Sequence, residues 1–208
     1  MDYKRNARYF SQTFARNMLI LATIGVIIAA AGGFVWWNIY LGFWDVLVEI
    51  AAIAGVILAV GAISQRPSEA DLFQQIEEAK KRFREEAIEA FGYPADAEHC
   101  TRLVWGFVPG NVEKTAKGGK TVTDRVEFAL IWLKKGELAV QRQTCGLLAE
   151  EAEITDIRLS LKTLTTQLDR EAGLLTLSAA NDTLVLSVFE PDYQLEEFVD
   201  KLGHQSVR

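Results

Sequence analysis

Two long apolar runs in the first third of the chain constrain the fold more than any other feature. Residues 18–37 and 46–63 contain one charged side chain between them, and a short connector separates them. A helix rises about 1.5 Å per residue, so each run is long enough to cross about 30 Å of hydrocarbon. Because lipid leaves backbone polar groups unsatisfied except in helices and closed barrels, we predict a two-helix transmembrane hairpin over residues 18–63.

Two other interpretations of these runs are a cleaved signal peptide and a buried core helix. A signal peptide has a shorter apolar stretch that ends at small residues, whereas the first run ends in Phe34-Val35-Trp36-Trp37. A core helix carries a polar stripe, but Thr23 is the only residue of the first run that is even mildly polar. The transmembrane hairpin fits the pattern better than either alternative.

Basic residues indicate the orientation of the hairpin. Lys4, Arg5, Arg8 and Arg16 lie in the N-terminal segment of residues 1–17, the connector has no Lys or Arg, and further bases follow the second run from Arg66 onward. Positive side chains are retained on the cytoplasmic side of membranes. We therefore expect an integral membrane protein whose two termini are both cytoplasmic.

The cysteines and histidines do not predict a metal site. With both termini in a reducing compartment, Cys100 and Cys145 are expected to be free thiols. These cysteines and the two histidines, His99 and His204, show none of the spacings of metal ligands. We expect neither a metal nor another cofactor.

Small residues recur every four positions in both predicted spans. They are Gly25, Ala29 and Gly33 in the first span and Ala51, Gly55 and Ala59 in the second. Close backbone contact drives helix association in lipid, so we expect these faces to pack within the hairpin or against another copy. The alternative is that Ala and Gly are simply common in membrane spans.

Glu49 is the one ionisable residue inside either apolar run. A carboxylate is costly at the centre of a bilayer, where it often marks an ion path, and costs much less near the interface. No second acid or base lies within the runs to form a relay with Glu49. Both a functional role and a plain interfacial position are therefore open for this residue.

An amphipathic linker helix is predicted over residues 64–94. Ser68 is its expected N-cap, Asp71 lies at the capping-box distance, and Gly92 and Pro94 end it. Its apolar residues recur mostly every three or four positions, at Leu72, Phe73, Ile76, Ala79, Phe83, Ala87, Ala90 and Phe91. We expect this stripe to bury against the following domain or a partner helix.

From about residue 95 the apolar period changes to two, which is typical of strands. Runs rich in β-branched and aromatic residues lie at 102–108, 121–133, 137–145, 154–168, 174–178 and 183–189. Pro191 and Asp192 then open a last helix that is expected to end at Gly203. The sequence predicts an α+β chain in which residues 95–208 form an antiparallel β sandwich or barrel capped by a C-terminal helix.

Part of this β domain resembles a known superfamily. The stretch from Ala129 to Val140, with Lys134-Lys135-Gly136 at its turn, resembles the hairpin of bacterial pleckstrin-homology-like and GRAM domains. Ile154-Thr155-Asp156-Ile157 is similar to their I-x-D-I step, and residues 184–202 to their last strand and C-terminal helix. The resemblance covers residues 101–202 and implies a pleckstrin-homology-like fold and a bacterial inner, or plasma, membrane. It implies little about function, because the fold hosts lipid-binding, peptide-binding and structural roles.

If the resemblance holds, basic residues between the first strands are candidates for binding lipid phosphate. They are Lys114, Lys117, Lys120 and Arg125. The alternative is a solvated loop, because residues 95–208 carry 13 bases and 18 acids, and this net charge of −5 opposes anionic surfaces. The same charge excludes nucleic acid as an expected partner.

No sequence motif of an enzyme is present, so we expect a non-enzymatic protein. The favoured hypothesis is a membrane-anchored scaffold whose β domain binds a protein partner through a strand edge or the groove beside the last helix. The second is an accessory or inhibitory subunit that acts through its transmembrane hairpin. Membrane lipids, and a protein partner or another copy of the chain, are the expected partners.

Overall fold

The chain forms five helices and nine strands among the residues that the computed structural model describes, which are 1–38, 44–65, 67–91, 101–116, 119–134, 136–180, 182–189 and 191–205. Two long apolar helices come first and antiparallel sheets follow, so the class is α+β as predicted. The chain divides into two compact units. One comprises residues 4–72, and the other residues 1–3 and 73–208.

The first unit is dominated by two helices, α2 (Gln12–Asn38) and α3 (Trp44–Ser64). Both predicted apolar runs lie within them, and α2 begins six residues before its apolar run. Both helices are long and apolar enough to cross a membrane. The helices expose large side chains such as Ile27, Phe34, Trp37, Ile57 and Val60, each at least 57% exposed. Their surface is therefore apolar, whereas a core helix would bury these side chains.

A short helix, α1 (Tyr3–Phe10), precedes α2 and was not predicted. It buries Asn6, Tyr9 and Phe10 and exposes Lys4 and Arg8, so it is amphipathic. Burial raises the pKa of the Tyr9 hydroxyl, and the negative charge of Glu69 adds to this shift. Helix α1 could not be predicted because its eight residues span barely two turns, too few for a clear helical period.

Helix α4 (Glu69–Phe91) begins at the predicted capping box. The Asp71 N–H donates to Ser68 Oγ at 3.1 Å, and the Ser68 N–H donates to Asp71 Oδ2 at 2.9 Å. The Ser68 hydroxyl also donates to Asp71 Oδ2, and Arg5 pairs with the same carboxylate at 2.8 Å. Hydrogen bonds from Ser68, followed by the charge of Arg5, lower the pKa of Asp71. The reciprocal bonds satisfy backbone N–H groups that a helix start leaves without partners.

The strands of the second unit form three separate antiparallel sheets and do not close into a barrel in the described residues. The four-stranded sheet has the order β1-β4-β5-β6, the three-stranded sheet the order β7-β8-β9, and β2 pairs with β3. The strands are β1 (Thr101–Phe107), β2 (Glu113–Thr115), β3 (Thr121–Thr123), β4 (Arg125–Lys134), β5 (Glu137–Gly146), β6 (Ala152–Ser160), β7 (Leu164–Asp169), β8 (Leu174–Ala179) and β9 (Asp182–Ser187). Helix α5 (Tyr193–Gln205) ends the described chain.

Several predicted boundaries differ from the structure. The run 121–133 is two strands, because Asp124 leaves the ladder and its carboxylate accepts the Asn111 N–H at 2.9 Å. The run 154–168 is broken by a 3-10 turn at Leu161–Thr163, and the loop expected at 110–120 contains β2. Helix α5 continues past Gly203, where its end was expected.

One hydrophobic core joins both large sheets and α5. It includes Val104, Ile131 and Val140 from the four-stranded sheet, Leu175, Leu177 and Leu186 from the three-stranded sheet, and Leu195, Phe198, Val199 and Leu202 from α5. The sheets meet at β1 and β9, where a Cβ atom on Gly106 would lie 2.5 Å from the Ser187 carbonyl carbon. Buried Glu127 also joins them, because it pairs with Arg142 and accepts the Ser187 N–H at 3.0 Å.

Helix α4 covers the opposite face of the four-stranded sheet. Phe83 stacks on Phe128 with 5.9 Å between ring centroids, and Phe128 alternates along β4 with the core residues Ala129 and Ile131. Phe73 contacts an aromatic group formed by Trp105, Phe107 and Phe189. Phe73 and Phe83 of the stripe predicted for the linker helix therefore contact the domain that follows it, whereas Ala90 near the end of the stripe is exposed.

Candidate interaction surfaces

Helices α2 and α3 meet at small residues. A Cβ atom added to Gly25 would lie 2.7 Å from the Ala59 nitrogen and from the Gly55 oxygen. One added to Gly55 would lie 2.7 Å from the Ala29 nitrogen and from the Gly25 oxygen. Real Cβ atoms do not approach backbone this closely, so only glycine permits the observed separation of the helices. Four of the six predicted packing residues therefore lie at one contact.

The remaining two, Gly33 and Ala51, lie outside this contact. A Cβ atom on Gly33 would meet nothing within 4 Å, and Ala51 is exposed. Gly32 takes the place of Gly33, because its added Cβ would lie 2.9 Å from the Cβ of Ala52. Buried Ala22 and Ala62 belong to the same two faces.

The contact faces share one spacing. In α2 the residues are Ala22, Gly25, Ala29 and Gly32, and in α3 they are Ala52, Gly55, Ala59 and Ala62. Successive residues of both sets are three, four and three positions apart. Residues at this heptad spacing stay on one face of a helix over several turns, whereas residues at a strict step of four drift around it. A search for this heptad spacing in the sequence would have found both faces.

Glu49 is exposed and lies in the second turn of α3. It does not belong to the face that contacts α2, whose nearest members are Val48 and Ala52. Its side chain therefore points toward the surroundings of the hairpin.

The bases predicted to bind phosphate make separate contacts. Lys120 Nζ donates to the Phe189 carbonyl oxygen at 3.1 Å and lies 4.6 Å from the centroid of the Phe189 ring. Arg125 pairs with Glu151 at 3.6 Å, and Lys114 lies opposite Val122 in the β2–β3 pair. Lys117 lies outside the described residues. Lys120 lines a cleft of about 540 Å³ together with Arg170, but Arg170 pairs with Glu196. Among the described bases, Lys120 and Arg125 thus contact different partners.

Cys145 is a half-buried free thiol on β5. Burial, followed by the charge of Glu86, raises its pKa, so the less reactive protonated form is favoured at neutral pH. The described residues contain no group of three or more potential metal ligands. His99, Cys100 and the His204 side chain lie outside them.

A groove runs between β7 and α5, where the sequence suggested a binding site without naming residues. Its volume is about 540 Å³, and it is lined by Thr166, Leu168, Arg170, Glu196, Val199, Asp200 and Gly203. Thr166 Oγ1 donates to the Val199 carbonyl oxygen at 3.4 Å, which holds the helix beside the strand. The ion pair between Arg170 and Glu196 lies in the groove, and Asp200 is exposed. The sequence could not locate these lining residues, because they are neighbours only after folding.

The outer edge of β6 is a second accessible surface. In the described chain β6 pairs with β5 alone, and seven of its nine residues are exposed. Ile154, 59% exposed, is the most apolar of them.

No protein-family model, curated protein or solved structure matches the chain. The class that the fold itself defines is an α+β protein with an apolar helical hairpin and an antiparallel β domain.

Proposed function

We propose that this protein is a membrane-anchored, non-enzymatic interaction module with both termini in the cytoplasm. In this proposal α2 and α3 span a bacterial inner membrane, and a pleckstrin-homology-like β domain presents the groove beside α5 to a protein partner. The observation that carries the proposal is the contrast between the two units, because the hairpin surface is apolar and the β domain keeps its apolar residues inside.

Membrane insertion is supported by what the hairpin exposes. Leu19, Ile27, Phe34, Ile57 and Val60 are all more than half exposed although the helices pack closely on one side. Water would oppose a surface of this kind, whereas lipid tails accept it. The bases Lys4, Arg8 and Arg16 are exposed before the apolar part of α2, which supports a cytoplasmic N-terminus.

The pleckstrin-homology-like assignment is supported by the order of elements. Leaving β2 and β3 aside as an insertion, a four-stranded meander is followed by a three-stranded meander and a C-terminal helix. The two sheets and α5 share one core. The order of strands followed by one C-terminal helix is the feature that supports the resemblance.

The groove favours a partner segment with basic side chains. Helix α5 carries the acids Glu196, Glu197 and Asp200 but only one base, Lys201. Asp200 is exposed in the groove, where no described ion pair engages it. An extended segment with a Lys or Arg would lie between β7 and α5 and neutralise this carboxylate.

Two other functions have less support from the contacts. An accessory subunit acting through its small-residue faces would need those faces free, but Gly25 and Gly55 are occupied within the hairpin. Binding of a lipid headgroup would need clustered bases, but Lys120 and Arg125 contact Phe189 and Glu151.

Membrane anchoring is tested by fractionation of the full chain. We expect the protein to sediment with membranes and to stay there after alkaline carbonate washing, with tags on both termini accessible only from the cytoplasmic side. Recovery in the soluble fraction, or a terminus accessible from outside, would contradict the proposal.

Partner binding is tested by purification from native membranes in mild detergent. Replacement Asp200→Arg reverses the charge in the groove, while Glu197→Arg makes the same charge change outside its lining. We expect one or more proteins to co-purify with the wild type and with Glu197→Arg, to be lost with Asp200→Arg, and to dissociate as salt rises. Equal recovery with both variants would exclude the groove as the binding site.

A further inference from the structure

Strand β6 has a long edge that the described chain leaves without a partner. It runs for nine residues at the end of the four-stranded sheet, and its other side pairs with β5. Exposed strand edges of this length pair readily with another chain unless they are covered or interrupted. Neither a proline nor a bulge interrupts β6.

The hydrogen-bond pattern shows which backbone groups face outward. The Gly146 N–H donates to the Glu151 carbonyl at 2.8 Å, and the Leu161 N–H to the Gly136 carbonyl at 3.2 Å. The two bonds flank the β5–β6 ladder, and on the β6 side both involve odd-numbered residues, Glu151 and Leu161. Along an antiparallel strand the backbone groups of successive residues point alternately to one neighbouring strand and to the other. The backbone N–H and C=O groups of Ala152, Ile154, Asp156, Arg158 and Ser160 therefore point to the free edge.

The side chains of these even-numbered residues share one face. Leu159 is buried in the core and Ile157 packs against it, so the even-numbered side chains lie on the opposite, exposed face. Asp156 and Arg158 are neighbours there and carry opposite charges. The free edge of β6 therefore presents backbone N–H donors and C=O acceptors, and the side chains of Asp156 and Arg158 lie beside them.

We propose that two copies of this chain associate by antiparallel pairing of their β6 strands. A two-fold axis perpendicular to the sheet keeps matching faces on one side, so even-numbered residues oppose even-numbered residues. With the axis at Ile157, Asp156 of each copy opposes Arg158 of the other, which forms two ion pairs. An axis at Asp156 brings two Asp156 carboxylates together, and an axis at Thr155 places Asp156 opposite Ile154. Charge complementarity selects the axis at Ile157.

This inference rests on the proposed membrane anchoring. A single strand pair buries less area than most stable interfaces, and confinement of both copies to one membrane raises their local concentration. Each copy uses the same β6 edge on both sides of the two-fold axis, so the pairing closes as a dimer rather than a filament.

The test uses full-length chains reconstituted into liposomes at a series of protein-to-lipid ratios. Donor and acceptor fluorophores on C-terminal tags report association by energy transfer, measured on vesicles that have been floated. We expect Asp156→Arg and Arg158→Asp each to weaken association about tenfold or more, because both ion pairs become repulsive contacts. The double replacement restores opposite charges and should restore association.

Matched controls and a second type of variant complete the test. Glu171→Arg and Arg84→Asp make the same charge changes at exposed positions outside β6 and should leave energy transfer unchanged. Ile154→Pro removes an N–H that points to the free edge but takes no part in the β5–β6 ladder, so it should abolish association while the domain stays folded.

The outcomes separate this proposal from membrane anchoring. Absence of energy transfer in the wild type, energy transfer insensitive to the β6 variants, or failure of the double replacement to restore it would overturn strand pairing while the protein still floats with vesicles. Failure of the wild type to float would instead overturn membrane anchoring.

Discussion

In the helical hairpin the residues at the contact are the smallest in the chain, whereas in the β domain they are among the largest. Gly25 and Gly55 let two backbones approach each other, and the large side chains of α2 and α3 point outward. In the β domain Leu175, Leu177 and Leu186 are completely buried. The two regions therefore place their apolar side chains in opposite ways.

The opposite placement of large apolar side chains follows from the surroundings of each region, which are water for the β domain and, in our proposal, lipid for the hairpin. Burial of leucine stabilises the β domain because water is expelled from apolar surface. In the proposed bilayer the lipid is as apolar as leucine, so burying large side chains gains little and close backbone contact remains as the driving force. The same amino acid is thus expected to contribute very differently in the two regions.

The core of the β domain should respond most strongly to loss of side-chain volume. Leu177→Ala is expected to lower the free energy of unfolding by about 2–5 kcal/mol, because it removes a fully buried side chain and leaves a cavity. Ile57→Ala in α3, 66% exposed, should change it by no more than about 0.5 kcal/mol. Hydrogen exchange of the full chain in detergent, resolved by peptide, measures both units. Similar losses at the two sites would contradict the comparison.

A larger side chain at the contact between α2 and α3 should destabilise the hairpin. Gly55→Leu is expected to cost about 1–3 kcal/mol and to separate the helices, because its Cβ alone would lie 2.7 Å from backbone atoms of α2. Gly61→Leu is the matched control, since a Cβ there meets nothing within 4 Å. Spin labels on the two helices report their distance. An unchanged distance in Gly55→Leu, or equal effects of both replacements, would argue against backbone contact at Gly55.

The stability of the first turn of α4, where the chain passes from one unit to the other, should depend on pH. The pKa of Asp71 is lowered in the folded protein, so its contribution to stability is complete above the unfolded pKa of about 4 and is lost as the pH falls through the lower folded value. The protection of the amides in the first turn of α4, measured as their exchange rate relative to the intrinsic rate at the same pH, should therefore fall in acid. Asp71→Asn should remove this pH dependence, because no titrating carboxyl remains. Ser68→Ala should cost about 1 kcal/mol at neutral pH and keep part of it, because its backbone N–H still donates to Asp71, and Ser64→Ala should leave it unchanged. A pH dependence that persists in Asp71→Asn would assign it to another group.

The elements with strong local signals were predicted correctly. The two apolar helices, the Ser68 capping box and the apolar stripe of α4 depend on residues a few positions apart, and sequence periodicity records such relations directly. The four-residue spacing of small residues was only partly correct, because Gly32 and Ala52 replace Gly33 and Ala51 at the contact. A strict step of four drifts around the helix surface, whereas the heptad spacing that the contact residues share would have located both faces.

The surfaces offered for binding could not be assigned to residues beforehand. The groove joins Thr166 to Asp200, and the predicted phosphate-binding bases make contacts with Phe189 and Glu151 far away in the sequence. The edge of β6 that has no neighbour among the described strands follows from the sheet order, which depends on pairing between distant parts of the chain.

Local signals in the sequence account for most of the helices and strands and for their order, since hydrophobic period, capping residues and turn residues act over a few positions. Helix α1 and strand β2 carried no such signal. Folding selects the contact between Gly25 and Gly55, the face of the sheet that α4 covers and, among the described strands, the edge that has no neighbour. Those choices depend on contacts between residues distant along the chain, and their energies exist only once the backbone has brought them together.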